Sequence, residues 1–132
     1  SENNKKEKGN IKVNIKKLFN VTLEEAEDKD FIPKLVYKNI DAECVDFRKF
    51  DFNKIIKFQY TSFENWNLSG ANLNYAQFTF ANMKNVNMKG ANIKYLSIGY
   101  TKINAKIDKY TIYPRTCRLK GRRKPQVINC VL

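Results

Sequence analysis

Residues 56–103, written in fives, read IKFQY TSFEN WNLSG ANLNY AQFTF ANMKN VNMKG ANIKY LSIGY TKI. The third member of every five is large and apolar: Phe58, Phe63, Leu68, Leu73, Phe78, Met83, Met88, Ile93, Ile98 and Ile103. A step of five suits neither regular element. On a helix it spirals the side chains around the axis, and on a strand it sends successive ones to opposite faces. A second apolar or small residue stands two places before each of the ten, as Ala71 does before Leu73. Two such positions share one face of a short extended segment. Successive pairs reach the same interior only if the chain bends between them, once every five residues.

The same stretch sets how many bends make a turn. GANLNY at 70–75 returns as GANIKY at 90–95, twenty residues on. Tyr60, Phe80 and Tyr100 align at that offset, as do Tyr75 with Tyr95 and Asn65 with Asn85. Four segments per turn imply a square coil whose turns stack at the inter-strand distance of about 4.8 Å. Its interior columns would be Phe58/Phe78/Ile98, Phe63/Met83/Ile103, Leu68/Met88 and Leu73/Ile93. Large and small columns alternate, as a narrow core requires. Trp66 is the exception among the small members, which places it near a wide or capped end.

The units ANLNY, AQFTF, ANMKN and ANIKY resemble the A(D/N)LXX units of pentapeptide-repeat proteins. The resemblance covers about 35–114, strongly over 56–103. It implies an all-β fold, a right-handed quadrilateral β-helix; it is specific for fold but poor for function. Some members protect DNA gyrase by resembling acidic DNA, for which a basic chain has the wrong sign.

Outward from the repeats, 1–10 read as a flexible charged arm and 11–34 as an N-terminal cap. Ile11, Val13 and Ile15 alternate with polar residues, which predicts a strand over 11–19. Thr22 and Glu25 form a capping box ahead of a short helix. Leu35 to Phe52 carry a looser version of the repeat, with a one-residue slip near Asn53–Ile55. Residues 108–114 would end the pairing at Pro114. The basic tail, 115–132, starts as an arm without pattern and regains apolar character from Pro125.

The chain has 132 residues, 25 basic and 13 acidic, and no histidine. From Lys84 on there are twelve basic residues and a single acid, Asp108. That asymmetry points to a polyanionic partner: an acidic protein first, RNA as the alternative. Candidate partner-binding residues are the aromatics Tyr60, Phe80, Tyr100, Tyr75 and Tyr95, and a collar of Lys84, Lys89 and Lys94. Arg118, Lys120, Arg122, Arg123 and Lys124 of the tail join them. Accessory subunit of a larger assembly is the leading reading, topoisomerase-protecting effector a further one, and end-to-end dimerisation is possible through an open face. No catalytic constellation, metal-ligand spacing or phosphate loop is present, so no enzyme, cofactor or small-molecule substrate is expected. Cys44, Cys117 and Cys130 predict free thiols in a reducing compartment, with a Cys117–Cys130 bridge as the alternative. Without an apolar segment for export or membrane spanning, the expected location is intracellular.

Overall fold

The computed structural model describes residues 7–28, 30, 37–54, 63–79, 81–121 and 126–131. Among these residues the regular elements are eight short strands and two five-residue helices, joined by tight bends. In chain order they are β1 (Ile11–Lys12), α1 (Ile15–Phe19), α2 (Leu23–Glu27), β2 (Val45–Asp46), β3 (Gln77–Thr79), β4 (Asn82–Asn87), β5 (Ser97–Gly99), β6 (Lys102–Ile107), β7 (Cys117–Lys120) and β8 (Gln126–Val131). A 3₁₀ turn, Phe52–Lys54, follows β2.

Parallel pairing at an offset of twenty joins one layer of chain to the next. Asn67 bridges Asn87, Asn72 bridges Asn92, Gln77 pairs with Ser97, and Asn82 with Lys102. These four contacts are five residues apart. Asn87 then pairs onward with Lys106. Phe78 lies beside Ile98 and Met83 beside Ile103. Phe63, Leu68, Leu73, Phe78, Met83, Met88, Ile93, Ile98 and Ile103 are all buried, while Phe58 lies outside the described residues.

The first layer carries the one-residue slip read in the sequence, together with a further five residues that the reading did not count. Asp41, Asp46 and Asp51 bridge Asn67, Asn72 and Gln77, each at an offset of 26. Relative to the regular offset, six more residues, one segment of five and the slipped one, separate Asp51 from its partner Gln77. There the 3₁₀ turn leaves the regular path, and the Phe52 ring stacks on Phe78 at 3.8 Å.

The strand expected over 11–19 is correct only for Ile11 and Lys12, which pair with Val45 and Asp46 of β2. Helix α1 replaces the rest. Asn14 caps it by accepting from the Lys17 amide, and Asn20, in the left-handed region at φ 54°, stops it. Local caps here override a period-two pattern only three apolar residues long. The α2 capping box forms as read, with Thr22 and Glu25 each accepting from the other's backbone amide. Phe19 at the end of α1 is buried among Tyr37, Phe52 and Trp66, with ring centroids 5.4, 6.4 and 5.8 Å away. Trp66 itself is buried and donates its Nε1–H to the Tyr37 carbonyl at 2.6 Å.

The tail is not a patternless arm. β7 and β8 form an antiparallel hairpin, and β8 pairs antiparallel with β6, giving the order β4-β6-β8-β7. Cys117 and Cys130 stand opposite each other and form a disulfide. The expectation of free thiols is overturned for these two, because the hairpin register brings them together; Cys44 is buried outside the bridge. The hairpin also means that Pro114 does not end the pairing. With β4 on one side and β8 on the other, β6 keeps no edge for end-to-end pairing.

Candidate binding surface

The bends are built by two recurring side-chain roles. An Asn or Asp stands one place before many of the core residues, and at several of them its side-chain oxygen accepts from the backbone amide two residues on. Asp46 does this for Arg48, Asn72 for Asn74, Asn87 for Lys89 and Asn92 for Lys94, at 3.0–3.3 Å. Such Asx turns give the chain a local reason to reverse. Two residues past the core position the backbone enters the left-handed region: Asn39, Cys44, Lys49, Asn65, Gly70, Tyr75, Asn85, Gly90 and Tyr100 all have φ between 53° and 70°. Asn and Gly tolerate this conformation; Tyr and Lys do so at a cost of about 1 kcal/mol. The sequence reading missed the Asx role, although the Asn-rich position before each core residue signalled it.

These bends carry the candidate aromatics. Tyr75 and Tyr95 stack face to face, with centroids 5.3 Å apart and planes 9° from parallel. They stay 56% and 51% exposed, and the Lys94 ammonium stands 5.3 Å from the Tyr95 ring centre. Tyr100 is 75% exposed on a later bend. Tyr60 and Phe80 lie outside the described residues, as do Arg122, Arg123 and Lys124. Lys84, Lys89 and Lys94 are exposed, and so are Arg118 and Lys120 on β7.

A strap not read from the sequence runs along one line of bends. The Ile11 amide donates to the Cys44 carbonyl, and the Gly9 amide to the Gly70 carbonyl. The Lys8 side chain passes Gly90 and ends 4.5 Å from the ring centre of Tyr110. Residues 7–10 are thus fixed to the body rather than free as an arm. A Cβ on Gly70 would meet the Cys44 sulfur at 2.8 Å, and one on Gly90 would meet the end of Lys8 at 3.2 Å. The repeated glycine of GAN makes room at both places.

Under the strap, Asp108 replaces a backbone acceptor. Its Oδ1 accepts from the amides of Gly90 and Tyr110, both at 2.9 Å. Burial pulls its pKa up, but the two amides, the Thr111 hydroxyl and the Lys8 charge outweigh this and leave it below the usual carboxylate value. Asp46 is likewise lowered, chiefly by its hydrogen bonds from the Arg48 guanidinium at 2.8 and 2.9 Å.

Two open grooves are found among the described residues. One of about 400 Å³ is lined by Lys12, Lys17, Asp41 and Glu43 with apolar neighbours, and one of about 250 Å³ lies beside α2. Neither holds a nucleophile and base pair, and no metal-ligand group occurs among the described residues.

Residues 56–93 match the sequence model of the pentapeptide repeats, in eight copies. This segment is made of pentapeptide repeats. No curated protein and no solved structure matches the chain. The pairing reaches beyond the matched pentapeptide repeats on both sides, from Asp41 to Ile112. Pentapeptide repeats carry binding surfaces in general rather than catalytic centres, and no helix here is long and apolar enough to cross a membrane.

Proposed function

We propose that this chain is a non-catalytic scaffold that binds a polyanionic partner. Its body is read as a right-handed quadrilateral β-helix. Four bridges five residues apart precede the return to the same row, which supports four sides; the hand follows the family. The stacked tyrosines, the lysine collar and the basic C-terminal region are its proposed contact surface.

One observation carries the reading. The two ion pairs among the described residues, Lys38–Glu64 at 3.8 Å and Arg48–Asp46 at 2.8 Å, both lie in the first half of the chain. The cations from Lys84 onward are exposed and have no acidic side chain within ion-pairing distance among the described residues. Uncompensated charge of one sign raises the local concentration of the opposite one. A second reading, single-stranded RNA on the tyrosine bends, is favoured by the Tyr75–Tyr95 stack beside Lys94. The disulfide favours an oxidising compartment, where such a bond persists.

The test is binding of the whole oxidised chain to immobilised polyglutamate, duplex DNA and oligo(U) at low salt, with polylysine as control. Retention on at least one polyanion and none on polylysine is expected. Passage through all three polyanion columns sinks the reading.

A further inference from the structure

The hairpin completes a sheet face that the sequence does not display as one surface. In β6, β8 and β7 the residues Ile103, Ala105, Ile107, Ile128, Cys130 and Cys117 point inward and are buried. The residues between them therefore belong to the outer face. Lys106 pairs with Val127, which pairs with Lys120. Asn104 pairs with Asn129, which pairs with Arg118, and the Asn104 amide donates to Asn129 Oδ1 at 2.9 Å. Across β6, Lys102 lies beside Asn82 and Lys106 beside Asn87. Lys84 is exposed at the irregular step of β4. Five cations thus share the outer side of one sheet, and no acid stands in any of its four strands. In the row Asp41–Asn67–Asn87–Lys106, the first acid comes three layers below β6.

We propose that the outer face of β4, β6, β8 and β7 docks the phosphate backbone of a double-stranded nucleic acid. The inference rests on the polyanion reading above and narrows it to one partner class. Lys102 and Lys106 are about 13 Å apart along the strand, and Lys106 and Lys120 about 10 Å apart across it. The cations are spread over an area rather than a line. Between them stand amides, which donate to phosphate oxygens without adding charge.

What the face lacks decides against the alternatives. Protein interfaces are anchored by aromatic, methionine and arginine side chains, and this face offers a single arginine, Arg118, and no aromatic or methionine among its Asn, Lys and Val. Single strands need rings on which bases stack, and the exposed tyrosines Tyr75, Tyr95 and Tyr100 stand outside these four strands. A duplex backbone needs neither.

The experiment measures anisotropy of a short labelled DNA duplex against salt, using the oxidised full chain. It compares wild type with the triple variant Lys102→Gln, Lys106→Gln, Lys120→Gln and with a control, Lys16→Gln, Lys54→Gln, exposed cations outside both the sheet and the collar. The slope of log affinity against log salt should fall by about 3 for the triple variant, near 0.9 per lost phosphate contact. The control variant should keep the wild-type slope, and duplex should outcompete oligo(dT). Thermal melting checks that the triple variant is folded; if it is not, the same comparison on Arg118→Gln, which should lower the slope by about 1, replaces it. An unchanged slope, an equal fall in the control, or a preference for oligo(dT) overturns the proposal. Binding of polyglutamate without binding of duplex overturns it and leaves the polyanion reading standing. Failure to bind any polyanion removes both.

Discussion

Gly70 and Gly90 occupy equivalent bends but do different work. Both have a left-handed backbone, so any substituted side chain is strained there by about 1 kcal/mol. Their neighbours differ. The space a Gly70 Cβ would need is held by the buried Cys44 sulfur, whereas at Gly90 it is held by the far end of Lys8. Lys8 can swing aside; Cys44 cannot. Gly70→Ala should therefore cost about 2–3 kcal/mol and Gly90→Ala nearer 1 kcal/mol. Urea unfolding midpoints of the two variants measure the difference, and equal losses would show that the strap constrains neither bend. At this scale the sequence was informative about the interior and less so about the bends. Apolar side chains at a fixed spacing announce burial by their chemistry alone. The Asx hydrogen bonds and left-handed residues hide in Asn, Lys and Tyr, which have many other uses in a chain.

Elements were legible in proportion to their length. α2 was readable because Thr22 and Glu25 form a two-residue signature. α1 was not, because three alternating apolar residues outweighed a single Asn14 cap in the reading. β7 and β8 were missed for a different reason. CRLK and QVINCV do alternate, but the run of basic residues before and between them reads as solvated chain. Only their pairing with each other and with β6 makes them strands. The disulfide joins residues thirteen apart, and closing a loop of that size is worth roughly 3 kcal/mol. Cys117→Ser combined with Cys130→Ser should lower stability by about that amount. Amide exchange should quicken in β7 and β8 while β3 and β5 stay protected. Unaltered exchange in β8 would mean that its pairing with β6 holds the hairpin without the bond.

At the scale of the molecule, different elements cover the first and last layers of the stack. At one end Phe19 of α1 packs onto Trp66 and Phe52, an aromatic cluster that water cannot enter. At the other, β8 occupies the edge of β6, and the sheet edge passes to the short, charged β7, which makes a poorer template for aggregation. The sequence showed that caps were needed, since open layers expose backbone, and it assigned the first to the N-terminal region. It did not show that the second cap would carry charge, and that is why the basic sheet face was invisible before the pairing was known.

The row Asp41–Asn67–Asn87–Lys106 changes from negative through neutral to positive within four layers. The charge of the molecule is therefore displaced from its centre of mass toward the hairpin. In the field of an anionic surface this displacement acts as a lever arm and exerts a torque that turns the hairpin end forward before contact. Encounters are then pre-aligned, and the gain belongs to the association rate rather than to the lifetime of the complex. Stopped-flow mixing with a polyanion should show an on-rate that falls steeply with salt for wild type and more gently for Lys102→Gln, Lys106→Gln, Lys120→Gln.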